Sequence, residues 1–113
     1  MGKQRGGFKT AQFSLRLVTA KLIVATNAVE SFDRSQIKEV IDGGVGLHTI
    51  VLAKAYERAC DVMSIVPYTA NTRMEVVATD YDRVTIQATD LAGVATDADY
   101  QFTIVGSDKR FDV

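Results

Sequence analysis

The chain has 113 residues, the size of one domain, so a separate regulatory module is excluded. Apolar residues at 47% and charged residues at 24% describe a globular chain that buries about two-thirds of its surface, and they exclude a disordered tail. Cys60 is the only cysteine and His48 the only histidine. A disulfide framework, a Cys/His zinc cluster and any catalytic pair not built on those two residues are therefore excluded. No apolar run approaches the ~18 to 20 residues that cross a bilayer, and no signal-peptide core opens the chain, so an aqueous location is expected.

The net charge of −1 hides a division along the chain. Lys3, Arg5, Lys9, Arg16 and Lys21 are the only charged residues before Glu30, and the rest of the sequence holds all 14 acids. A basic leader is thus joined to an acidic body. Residues 1–11 are read as an extended, flexible N-terminal arm, because residues 1–7 combine two cations with three glycines and no apolar period. Residues 12–113 are read as a single domain. So few cations, with no interleaved aromatics, argue against nucleic acid as the partner of the arm.

In chain order, residues 12–25 first alternate, with Phe13, Leu15 and Leu17 on one face and Ser14 and Arg16 on the other, the pattern of a half-buried strand. The apolar set then shifts to Leu22 and Val24, which calls for a bulge or turn at Thr19-Ala20. Residues 35–41 read either as a short helix capped by Ser35 or as a strand. The strand is preferred because Asp42-Gly43-Gly44 is a turn and residues 45–53 are β-rich, which together make a hairpin. Residues 59–66 form an apolar run closed by Pro67 and read as a buried strand.

Residues 72–79 and 83–89 alternate cleanly, placing Met74, Val76, Ala78 and then Val84, Ile86, Ala88 inward, and the turn Asp80-Tyr81-Asp82 joins them. A loop over residues 91–99 leads to a last strand with Tyr100, Phe102 and Ile104 on one side. Val, Ile and Thr dominate the chain and favour pleated strands. Six to eight short strands of this kind predict an all-β fold, an antiparallel β-sandwich or jelly roll. Gly43, Gly44 and Gly46 precede a strand, where a phosphate-binding loop would precede a helix.

Chemistry has few candidates. His48 reads as a strand-end or hydrogen-bonded buried residue, and Cys60 as a small core hydrophobe whose neighbours Glu57 and Asp61 oppose a thiolate. Asp80, Asp82, Asp90, Asp97 and Asp99 cluster near loops, but lack the register of a calcium loop and suit turn and cap roles. No catalytic residue, metal site or cofactor is therefore assigned. The sheet edges look poorly protected, with one proline in the whole chain, so strands and arm suit docking onto a neighbour by β-augmentation. The arm residues Lys3, Arg5, Phe8 and Lys9 are the expected contacts.

Two segments carry a resemblance. The stretch MEVVATDYDRVTIQATDLAGVATDADYQFTIVGSD resembles the closing hairpin and last strand of small β-sandwich virion structural proteins of tailed bacteriophages. GGVGLHTIVLAKAYERACDVMSIVPYT is similar to the strand pair that precedes it. The likeness covers roughly residues 35–108. It implies a non-enzymatic viral structural protein, foremost a capsid decoration or cement protein that oligomerises with itself and binds the major capsid protein or another virion protein. The alternative is a tail or fibre module that binds a receptor or glycan. The resemblance places the chain in the virion after assembly in the host cytoplasm, with no membrane partner.

Overall fold

The computed structural model describes residues 11–30 and 34–111. Eight strands follow one another: β1 (Ala11–Ile23), β2 (Ala28–Glu30), β3 (Ile37–Asp42), β4 (Leu47–Leu52), β5 (Asp61–Pro67), β6 (Thr72–Thr79), β7 (Arg83–Asp90) and β8 (Tyr100–Phe111). They form two antiparallel four-stranded sheets, ordered β2-β1-β8-β5 and β3-β4-β7-β6. The expected all-β sandwich is thus realised. Both hairpins read from the sequence are present, β3–β4 across Asp42-Gly43-Gly44 and β6–β7 across Asp80-Tyr81-Asp82. No helix among the described residues is long and apolar enough to cross a membrane.

The inner faces supply the core. Val18, Ala20 and Leu22 of β1 and Tyr100, Phe102 and Ile104 of β8 pack against Ile50 and Leu52 of β4 and Val84 and Ile86 of β7. Each large side chain so buried contributes about 1.5 to 3 kcal/mol. Every second residue of these strands is inside, as the period of a pleated strand requires.

Three expectations are corrected. First, β1 contains no bulge: its ladder with β8 runs unbroken from Ala11↔Phe111 to Leu22↔Tyr100. Strict alternation along that ladder puts Val18, Ala20 and Leu22 inside, and leaves Leu15 and Leu17 on the outer face, 75% and 49% exposed. The apolar residues of the first half belong to the wet side of one straight strand. Second, β5 is no buried strand. It lies at the edge of its sheet and leaves Met63 and Val66 exposed. Third, β6 is also an edge strand, with a bulge between Val76 and Ala78 that turns its second half outward, so only Met74 of the three expected residues reaches the core.

The two central strands of the first sheet are unequal to their neighbours. β5 pairs with β8 only from Asp61↔Val105 to Pro67↔Tyr100, and β2 pairs with β1 only at Lys21–Ile23. Among the described residues, residues 11–14 and 108–111 therefore find ladder partners only in each other and run on as a two-stranded ribbon, while the Ser107 carbonyl still accepts from the Glu57 N–H. The molecule is 59 Å long against 26 and 19 Å across.

Candidate interaction surface

The ribbon leaves the sandwich at a polar plug. Arg16 sits on the inner face of β1, in phase with Val18, and its guanidinium donates to both Asp108 oxygens, at 2.7 and 3.2 Å. It also donates to Gln36 Oε1 and to the carbonyls of Lys54 and Ala55. The cation lies 4.1 Å above the Tyr56 ring, whose hydroxyl donates back to the Arg16 carbonyl. A planar fork with five N–H groups is what lets one side chain close this end of the core. Gly106 faces it, and a Cβ there would run into the Tyr56 ring.

Cys60 lies at the same end, buried, with Sγ donating to the Asp80 carbonyl at 3.0 Å. Burial raises the thiol pKa above its ordinary value, the opposite of what a nucleophile needs. His48 is at the other end, paired in the ladder with Asp42 and only 2% exposed. The structure does not bring these two residues together. Asn27, held in a left-handed conformation, donates through Nδ2 to Asp42 Oδ2 at 3.2 Å and presents Oδ1 to His48 Nε2 at 3.1 Å. Because a carboxylate only accepts, the amide nitrogen of Asn27 faces Asp42 and Nε2 is the donor to Oδ1, while Nδ1 is buried without a hydrogen-bond partner among the described residues. The Asp42 carboxyl is held below its usual range, first by the Gly44 N–H and then by Asn27.

The acidic loop residues act as caps. Asp90 Oδ1 accepts from the N–H groups of Ala92 and Val94, Asp97 from Gly46 and Asp99 from Val24. Gly46 has φ +68° and is wedged against the Ala88 and Thr96 carbonyls, a place no side chain fits. Among the described residues no group of three His, Cys, Asp or Glu is arranged to hold a metal ion.

These caps gather at one pole. β1 climbs from the ribbon to Ile23, β8 starts beside it at Tyr100, and β4 begins and β7 ends at the same height. The connecting loops, residues 24–27, 42–46, 68–71 and 90–99, contain Asp42, Asp90, Asp97 and Asp99 and no Lys or Arg. The donors to these acids are backbone N–H groups and the Asn27 amide, whereas Asp108 pairs with Arg16 and Asp82 with Arg83. Asp42 and Asp97 border a depression of about 310 Å³ that Asn27, Val45 and His48 also line. Val45, Leu91 and Val94 are exposed on the same loops.

The opposite end is mixed in charge, with Glu57, Asp61, Asp80, Asp82 and Asp108 beside Arg16 and Arg83. Lys109 and Arg110 lie in the ribbon opposite Phe13 and Gln12, and the leader before Ala11 holds Lys3, Arg5 and Lys9. The expected contact residues Lys3, Arg5, Phe8 and Lys9 lie outside the described residues. Sequence reasoning missed Arg16 and the ribbon. The signal for Arg16 was its spacing from Val18, Ala20 and Leu22. The chain matches no protein-family model, no curated protein and no solved structure.

Proposed function

We propose that this protein is a non-enzymatic structural subunit of a virion, a capsid decoration or cement protein that attaches to a larger protein lattice. The observation that carries the reading is the β1–β8 ribbon. Two strands without a third, and without a facing sheet, are marginal in water, and their open edges offer unpaired backbone groups to another chain. Leu15 and Leu17 stand exposed on the outer face of β1. Small contacts repeated over a lattice reinforce one another, because each becomes effectively intramolecular once its neighbours are seated. The resemblance of residues 35–108 to phage virion proteins supplies the kind of lattice. The test is quantitative mass spectrometry of particles purified from cells producing the phage that encodes this chain. Many copies per particle are expected, and absence from washed particles sinks the reading.

A further inference from the structure

We infer that two copies of this chain pair the open edges of their β1 strands about a twofold axis at Phe13, which merges their ribbons into one sheet ordered β8-β1-β1-β8. The inference rests on the reading above that the ribbon is a docking element, and names its first partner as a second copy of the chain.

The backbone decides which edge is ready. The Asp99 carbonyl accepts from the Tyr68 N–H and the Ser107 carbonyl from the Glu57 N–H, so the odd residues along β8 turn their peptide groups toward the β5 side. The β1–β8 ladder is unbroken and sets odd residues opposite odd residues. In an antiparallel ladder two opposed residues either exchange both peptide hydrogen bonds or both turn away. Ala11, Phe13 and Leu15 therefore direct their N–H and C=O groups away from β8, to the other side of β1. Among the described residues β2 pairs on that side only at Lys21–Ile23, and Gln36 reaches Arg16. The stretch that stays open runs from Ala11 to Leu15. On β8 the open edge is shorter, because Glu57 already occupies Ser107.

The length of the stretch selects its partner. An edge with outward groups at Ala11, Phe13 and Leu15 is its own complement: turned about Phe13, Ala11 of each copy meets Leu15 of the other, and Phe13 meets Phe13. That register makes about six backbone hydrogen bonds and matches every outward N–H and C=O of the stretch. A two-stranded ribbon is marginal in water, whereas three or more strands support one another, and two merged ribbons exceed that minimum. Leu15, 75% exposed, then gains cross-strand neighbours from the second copy. Because the axis stands perpendicular to the sheet, Leu15 and Leu17 of both copies share one outer face, which is offered to the lattice. A twofold contact closes at two copies.

The experiment uses the full chain in sedimentation velocity from about 1 to about 100 µM, a range that brackets micromolar affinity. A monomer–dimer equilibrium without larger species is expected. Leu15→Pro removes an N–H from the open side and none from the ladder with β8, the setting in which a strand accepts proline. It should weaken dimerisation at least about tenfold, and circular dichroism checks its fold. A second measurement does not depend on that variant. Cys60 is buried and is the only native cysteine, so Phe13→Cys reports on the axis alone. Opposed residues there have Cα atoms about 5.5 Å apart, within the span of a disulfide. Leu17→Cys shares the face but stands about 27 Å from its counterpart, at roughly 3.4 Å per residue. Under mild oxidation Phe13→Cys should cross-link at least about tenfold faster than Leu17→Cys.

A chain that stays monomeric at about 100 µM overturns the inference, as does a folded Leu15→Pro variant that dimerises like wild type, or equal cross-linking of the two cysteine variants. If the chain is monomeric and particles nevertheless carry it, the virion reading survives that failure. If it dimerises through Phe13 while washed particles lack it, the inference stands and the virion reading falls.

Discussion

Tyr100 carries a hydroxyl that the fold buries without a hydrogen-bond partner among the described residues. A buried hydroxyl left in this state costs about 1 to 3 kcal/mol against an apolar group of the same shape. Tyr100→Phe should therefore raise stability by about 1 kcal/mol in urea titrations at neutral pH; a loss would mean that the hydroxyl is bonded. Burial also pushes the phenol far above the ordinary tyrosine pKa. The folded-state pKa is the raised one, so its contribution is fully present below the ordinary value of about 10 and fades as pH rises above it, where only the unfolded chain releases the proton. The alkaline decline in stability should be shallower in the Phe variant. Cys60 was legible as a small core residue, whereas for His48 the sequence left a strand end and a buried place open and the structure decides for burial. Arg16 was not, because a cation beside Ser14 reads as a wet position until the ladder with β8 shows which parity faces the other sheet.

Among the elements, β1 separates what alternation can and cannot decide. A period of two says that alternate residues share a face, yet it does not say which face is covered. Leu15 and Leu17 looked like core because they are long and apolar, whereas the covered set is Val18, Ala20 and Leu22. Leu15→Ala should change stability by no more than about 0.5 kcal/mol, and Leu22→Ala should cost about 3 kcal/mol through lost burial and the cavity left behind. Thermal and urea unfolding of the two variants check this, and equal losses would refute the assigned faces. The hairpins β3–β4 and β6–β7 were legible because a short turn fixes which strands meet. The positions of β5 and β6 at sheet edges were not, since edge and centre differ only in whether a further strand arrives from elsewhere in the chain.

At the scale of the whole molecule, the proposed function assigns docking to the leader and the ribbon. Removing residues 1–10 should leave circular dichroism unchanged, because residues 1–7 combine two cations and three glycines with no apolar period, and should abolish binding to particles; retained binding would take the leader out of the mechanism. The division of charge was legible as a bias along the sequence, a cationic start and an acidic remainder. What stands beside its start was not: Lys109 and Arg110 lie near the other end of the chain and come opposite Phe13 and Gln12 only because β8 returns antiparallel along β1. By itself the sequence determined the all-β class, the number and approximate places of most strands, the two hairpin turns and the shortage of catalytic groups, since these follow from local periodicity, turn chemistry and composition. Only the tertiary structure decided which face of β1 is dry, which strands lie at edges, how Arg16 closes the core and that four capping aspartates share one pole. Those properties depend on pairing between residues far apart in the chain, and neither period nor composition encodes that pairing.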